Sequence, residues 1–456
     1  MSYIKNRDRL LSHGNIQLRR AALDIIDHAL TRADPYKATR NLVRIDSNRL
    51  TVGDLCFDLN ENQRIFLLGA GKATFPIAKA LEELLGDRIT DGVVICKYGQ
   101  HGRLNRSRMK LASHPIPDEA GFAAARDALA LARKTRPGDI VFGCITGGSS
   151  ALMPYPVPEI SLDEKKQVNQ LLLTCGANII EINAVRKHLS QIKGGRLVQT
   201  VNPQAHLINL TVSDVIGDPL DYITDPTVAD TSTFDDARRT LTKYNLWDRV
   251  PAPAARFLKG AGPQRETPKE IDLENYRKHN FIIVTGDAAC VAAEEKAREL
   301  GFQAMILSTM FEGESLELGA NFAAIAKEIR LNHRPLTIPA AVIGGGETTV
   351  KIRENPAGLG GPNQEFALAA ALGIEDAGPV VVVGFDSDGT DGPTDMAGGI
   401  VDEQTLSRAR EKGIDVFASL VRHDVTPVLK TTEDVIETGA TGTNVNDLKF
   451  LLMTDG

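Results

Sequence analysis

Cysteine is scarce in this chain. Five of its 456 residues are cysteine: Cys56, Cys96, Cys144, Cys175 and Cys290. The number is odd, no C-x-x-C pair occurs and no zinc-type spacing is present. That excludes a disulfide framework and a zinc finger. Reduced, mostly buried thiols in a cytoplasmic compartment are expected. A basic excess is also missing: 52 Lys and Arg face 59 Asp and Glu, a net charge of −7. A negative chain without a basic cluster is a poor partner for nucleic acid. It still binds small anions wherever local charge allows. Long apolar runs are absent too. The longest, such as Val380 to Val383 in PVVVVGF, have the length of a strand and cannot cross a bilayer. The opening stretch MSYIKNRDRLLSHGN is polar and lacks a signal-type apolar region, so neither export nor membrane insertion is expected.

What is present is ordinary globular composition, 42% hydrophobic and 24% charged. At roughly 100–200 residues per domain, the length predicts two or three domains. Apolar residues at helical spacing predict a helix over Arg19 to Ala33. Next, RIFLL (Arg64 to Leu68) reads as a strand, GAGKAT as a glycine turn, and FPIAKALEELL as an amphipathic helix. Strands at 92–96, 140–145 and 207–212 alternate with helices at 120–133 and 161–175. Such alternation means a mostly parallel sheet covered on both faces. A proline-rich, charged stretch from Val250 to His279 reads as a domain boundary. After it the pattern restarts, with strands at 281–285, 303–307, 340–344 and 380–384 and helices at 287–300 and 320–331. The fold class expected is therefore α/β in two domains. Residues 1–265 form a Rossmann-like, mostly parallel domain and residues 266–456 a smaller α/β domain.

Ligands of open α/β sheets collect at the carboxyl ends of the strands. Glycine- or aspartate-rich segments follow strands here four times: GAGK, TGGSS, SDVIGD and GGGETT. Gly69-Ala70-Gly71-Lys72-Ala73-Thr74 places two glycines and a lysine between strand and helix, where backbone N–H groups can meet an anion. It is not a P-loop, because Ala73 follows the lysine. It is not a dinucleotide fingerprint either: Thr74 holds the third glycine position, and the second strand ends at Lys97 rather than at an acid. A plain strand–helix turn with a surface lysine is the competing reading. Ser149 and Ser150 in TGGSSAL offer donors suited to carboxylate or phosphate, or simply an N-cap. In NAVRKHLSQIKGG, consecutive helical residues point about 100° apart, so at most one or two of Arg186, Lys187 and His188 can face a site. Solvated charge is the competing reading for each, as it is for Lys193. Asp214, at a strand end in SDVIGDP, suits a general base or a metal ligand, against an Asx-turn. The run Gly344-Gly345-Gly346 before Glu347 costs backbone entropy and implies close access to the backbone. DSDGTDG (Asp386 to Gly392) fails as an EF-hand. It is left as an Asx-rich turn, or as a loop facing magnesium or phosphate.

Taken in order, GAGKA, HPIPDEAG, TGGSSAL, NAVRKHLSQIKGGRL, SDVIGDP, GGGETTV, NQE, SDGTDG and TGTNVNDL resemble the glycerate 2-kinase family with its C-terminal MOFRL region. Some of its members have been labelled hydroxypyruvate reductases. The resemblance spans about residues 15 to 452. It implies transfer of the ATP γ-phosphoryl group to the 2-hydroxyl of D-glycerate, or of a closely related hydroxy acid, with magnesium, in a cleft between domains. On that resemblance Lys72 and Asp214 are the catalytic candidates, and Ser149, Ser150 and Arg186 bind substrate. Gly69, Gly71, Gly345, Gly346, Glu347 and Asn363 contact nucleotide or phosphate, and Asp388 and Asp391 hold the metal. One departure stands out: the family's G-G-R-N-Q-E is here Gly360-Gly361-Pro362-Asn363-Gln364-Glu365. A donor-less ring replaces a guanidinium, so Arg186 or Arg353 takes its place or the acceptor differs. The alternatives are an NAD(P)H-dependent hydroxypyruvate reductase and a catalytically silent small-anion-binding protein. The sequence leaves the oligomeric state open, a homodimer being one option.

Overall fold

The computed structural model describes residues 2–352 and 358–455; Arg353 lies outside them. The chain forms two compact units. The first comprises residues 35–213 and 218–283, the second residues 1–34, 214–217 and 284–456.

In the first unit β1 (Val43–Asp46), β2 (Arg49–Val52) and β3 (Leu55–Asp58) make a small antiparallel sheet. The main sheet holds β4 (Ile65–Ala70), β5 (Ile89–Lys97), β6 (Arg108–Ala112), β7 (Ile140–Ile145), β8 (His206–Val212) and β9 (Arg277–Val284). Their order is β6-β5-β4-β7-β8-β9. The pairs β4–β5, β5–β6, β4–β7 and β7–β8 are all parallel. Every residue of β4 and β7 is buried, as strands covered on both faces require. Phe66, Leu68, Val93, Ile95, Val141 and Ile145 share one core with the helix Glu119–Ala132.

The strand expected to open the second domain, near Phe281, is instead β9, the edge strand beside β8. The proline-rich stretch before it lies inside the first unit rather than at its boundary. It folds as the helix Ala252–Gly260, two short turns and the start of β9. Ala254 and Leu258 are fully buried against Phe234, Ala237 and Leu241. Apolar residues spaced along that helix overrode the proline signal, so the unit closes near Ile283 rather than at residue 265.

The second unit is built on β10 (Gln303–Phe311), β11 (Ala340–Gly346), β12 (Val380–Asp386), β13 (Gly398–Asp402), β14 (Val435–Ile436) and β15 (Asp447–Met453). Their order is β10-β11-β15-β12-β13-β14, and only β10–β11 is parallel. Strand alternation explains PVVVVGF. Val380 and Val382 pack under the helices Ser315–Asn332 and Pro362–Ile374. Val381 and Val383 face the opposite way, against the helices Ile16–Arg32 and Gly286–Glu299. The N-terminal helix thus completes the core of the chain's second half. Arg19 anchors it, fully buried between Asp402 and Asp434. Among the described residues no helix is long and apolar enough to cross a membrane.

Candidate functional site

From β4 the chain of the first unit steps outward to β5 and β6, then returns to β7 on the other side of β4. The carboxyl ends of β4 and β7 therefore flank the topological switch point, where open α/β sheets bind ligands. The GAGKAT and TGGSS loops leave from those two ends and are bonded to each other. Lys72 N–H donates to the Gly147 carbonyl at 2.8 Å, and Ala73 N–H to Thr146 Oγ1 at 3.2 Å. Gly71 N–H donates to the Ile95 carbonyl at 3.3 Å. The amides of the first glycine turn are thus spent on the protein, which corrects the expectation that Gly69 and Gly71 cradle phosphate. Gly69 lies inside β4, and Gly71 is glycine because a Cβ there would sit 2.0 Å from Thr146 Oγ1. What the turn presents is the half-buried side chain of Lys72.

The second loop is the one with amides to offer. Gly147 and Gly148 make no backbone N–H bond among the described residues, and Gly148 is left-handed with φ 85°. A Cβ on Gly148 would lie 3.1 Å from the His114 ring and 3.3 Å from Lys72 Cγ. Lys72, His114 and the two glycines therefore share one small space, with half-buried Ser150 behind it. Successive amides around a left-handed residue make a concave anion site. Ser149 is buried and begins the short helix Ser149–Leu152.

Arg186 and Lys187 lie near the end of the helix Ile179–His188, started by a capping box between Asn178 and Glu181. Solvated charge does not describe its end. Lys187, His188 and Lys193 are buried. Lys187 pairs with Asp221 and, at 3.2 Å, with Asp230. Lys193 pairs with Asp225 at 2.7 Å. His188 Nδ1 meets the Ala184 carbonyl and its Nε2 meets Glu266.

In the second unit Asp214 sits beside the TGTN loop, its Oδ2 accepting from Asn444 Nδ2 at 3.0 Å. Asn444 escaped the sequence reading of single residues; its only signal was the TGTN motif. The triple glycine is not an anion cradle. Gly345 and Gly346 lie inside β11, opposite Leu448 and Asp447 of β15. A Cβ on Gly345 would come 2.7 Å from Cys290 Sγ, and one on Gly346 would come 2.2 Å from the Phe311 carbonyl oxygen. The glycines are there for close packing against the protein itself. Glu347, just past the strand, is exposed.

Asp391 and Asn363 are corrected as well. Asp391 is fully buried and accepts the N–H groups of Asn363 and Gln364, each at 2.9 Å. It also accepts their side-chain amides at 3.2 and 3.0 Å. It thereby caps the helix Pro362–Ile374, whose own N-cap, Gly361, has no side chain to do so. Burial lifts its carboxyl to about 6 against the pull of these donors. A carboxylate with four protein donors has little left for a metal. Asn363 is buried, with its amide spanning Asp391 and Asp447 (2.6 Å), and so holds protein rather than nucleotide. Asp388 Oδ1 accepts from Thr390 N and Oγ1 at 2.9 and 2.6 Å, the Asx-type turn. Among the described residues no three His, Cys, Asp or Glu side chains converge to hold a metal ion. Asp391, its oxygens taken by protein donors, therefore does not fit the magnesium role expected of it, whereas Asp388 keeps a half-buried carboxylate on its turn.

Comparison with known proteins bears on the whole chain. A family model described as a domain of unknown function, DUF4147, matches residues 21–259, and the MOFRL family model matches residues 340–447. A glycerate 2-kinase of Pyrococcus horikoshii is 41% identical over 96% of this chain and 98% of its own length. The chain belongs to the glycerate 2-kinase family. The crystal structure of a glycerate kinase from Thermotoga maritima superposes with a TM-score of 0.83 at 37% identity, covering 96% of this chain and 100% of that one. A relative in Agrobacterium vitis, 38% identical over 86% of this chain and 99% of its own, carries the name putative hydroxypyruvate reductase. The DUF4147 match falls mainly on the first unit and the MOFRL match on the second.

Proposed function

We propose that the protein transfers the γ-phosphoryl group of ATP to the 2-hydroxyl of D-glycerate, giving 2-phosphoglycerate and ADP. The observation that carries this reading is the Lys72, Gly147 and Gly148 arrangement at the switch point, on a chain of this family. Phosphoryl transfer needs positioning and charge neutralisation more than covalent help. Lys72 supplies a cation, and the Gly147 and Gly148 amides supply donors that need not reorganise. Asp214, steadied by Asn444, orients the hydroxyl and accepts its proton as the O2–Pγ bond forms and the bond from Pγ to the β-phosphate oxygen breaks. Magnesium, when supplied with the nucleotide, would neutralise phosphate charge.

The reductase reading finds no support in the turn after β4. Its amides are bonded to protein, and Thr74 Oγ1 donates to the Cys144 carbonyl at 2.7 Å where a dinucleotide turn needs glycine. A coupled ADP-release assay across three- and four-carbon hydroxy acids tests the proposal, with phosphorus NMR to locate the new ester. ADP release with D-glycerate and a 2-phosphate product is expected. Oxidation of NADH by hydroxypyruvate without ADP release would overturn it.

A further inference from the structure

The helix Leu162–Thr174 opens with a Ser161–Glu164 capping box and buries Leu162, Lys165, Val168 and Leu172. Lys165 thus occupies a core-facing slot of an otherwise apolar stripe. It is 2% exposed, and its Nζ has no hydrogen-bond partner among the described residues. Unpaired buried ammonium groups are among the costliest arrangements in a protein. Its charged neighbours are Lys193 and Arg186, which repel it, and Asp225. Asp225 is already bonded to Lys193 at 2.7 Å. Arg186 has no ion-pair partner among the described residues and is the half-buried member of the group. Lys187, by contrast, is neutralised by Asp221 and Asp230. Counting Lys187 and its two partners, four cations face three carboxylates, with Lys165 left unpaired, and that excess calls for an anion from outside.

We propose that Lys165, Arg186 and Lys193 form a buried subsite of the first unit that binds the carboxylate of the hydroxy-acid acceptor. The assignment rests on the kinase reading above. A carboxylate fits better than a polyphosphate for two reasons. The acceptor's carboxylate keeps its charge through the reaction, so cations fixed by burial and by Asp225 suit it. Burial, together with Lys193 and Arg186, also brings Lys165 down to about 7 against the pull of Asp225. With Lys165 protonated the cluster therefore lacks one negative charge, which one carboxylate supplies and a triphosphate exceeds. Binding then draws a proton onto Lys165.

The test is Lys165→Met, which removes the charge and keeps an unbranched side chain in the slot. The expected result is a KM for D-glycerate raised at least tenfold and a KM for ATP within twofold of wild type. Calorimetry without nucleotide, in two buffers of different ionisation enthalpy, should show D-glycerate binding with proton uptake in the wild type and not in the variant. Glycerol, which has no carboxylate, should not bind. A variant with a raised melting temperature and unchanged glycerate KM would overturn the subsite, as would a rise confined to the ATP KM. If Lys165→Met does not fold, Arg186→Met at the half-buried position must raise the glycerate KM alone. If the wild type fails to phosphorylate glycerate, the kinase reading falls; the calorimetric contrast still decides the subsite.

Discussion

Replacing Lys72 by methionine separates chemistry from folding. The backbone of Lys72 is fixed by its N–H bond to the Gly147 carbonyl, 2.8 Å, which the substitution leaves in place. Its side chain is half-buried at the mouth of a loop rather than in a core, so truncating its charge opens no cavity. Stability should stay within about 0.5 kcal/mol of wild type, the range of substitutions away from packed features. The reaction loses a preorganised cation beside the transferring phosphoryl group. That loss is worth about 2–4 kcal/mol, or roughly 30- to 1000-fold in kcat. The assay is ADP release at saturating ATP and glycerate, run alongside a thermal melt. Lys72→Arg is the control: a guanidinium keeps the charge but spreads it over a planar fork, so it should recover part of the rate and not all of it. A methionine variant with kcat within threefold of wild type and an unchanged melt would refute the role of Lys72.

Asp214→Asn keeps an acceptor for Asn444 but removes basicity; kcat should fall about 10²–10⁴-fold while the ATP KM holds, and a collapse of nucleotide binding instead would reassign the residue. Asp391→Ala strips the helix Pro362–Ile374 of its cap and leaves buried amides without acceptors; it should cost about 2–4 kcal/mol in a denaturant melt with the magnesium requirement of kcat unchanged. A normal melt with a shifted magnesium requirement would restore Asp391 as a metal ligand. Arg19→Met leaves Asp402 and Asp434 buried without their shared partner and should destabilise by about 3–5 kcal/mol. Burial alone would raise the Asp434 carboxyl, yet Arg19, His13 and Arg408 hold it down at about 2 from 3.8. Its contribution is present above pH 3.8 and lost as pH falls toward 2, and should be about 2 kcal/mol. Acid titration followed by circular dichroism should therefore show Arg19→Met unfolding at higher pH than wild type.

Much of the architecture was legible because its strands are covered on both faces and read as unbroken apolar runs. β4, β7, β11 and β12 declare themselves that way. What misled was local chemistry with two causes. A proline-rich stretch read as a domain boundary, yet Ala254 and Leu258 give it a buried stripe. Three successive glycines looked like room for a ligand, yet Phe311 and Cys290 fill that room. Asp391 looked like a metal ligand from its company of aspartates; only the fold shows that its neighbours are the amides of Asn363 and Gln364. Lys165 left little trace in sequence because a lysine on a helix usually faces water. Its place between Leu162 and Val168 on the buried face was the one signal available.

Position 362 joins these findings to the choice of acceptor. Pro362 is the first residue of the helix Pro362–Ile374 and only partly buried. Proline suits that position, since its fixed φ fits the first helical turn and its missing N–H would have no helical partner. Asp391 bonds the next two amides. Pro362→Arg therefore folds, at a cost under about 1 kcal/mol. If the acceptor's carboxylate is held by Lys165, Arg186 and Lys193, an arginine at 362 has no carboxylate left to capture. The kcat/KM for D-glycerate should then change less than threefold, and wild type should prefer D-glycerate to four-carbon aldonic acids. If the proline instead marks a larger acceptor, the new guanidinium adds a charged hydrogen bond worth about 1.5–3 kcal/mol to glycerate, roughly 10- to 150-fold, and clashes with the longer acid. Measuring kcat/KM for both acids in both proteins decides between them. A tenfold gain for glycerate with a matching loss for a four-carbon acid would place the acceptor's carboxylate at position 362 and remove it from the lysine cluster.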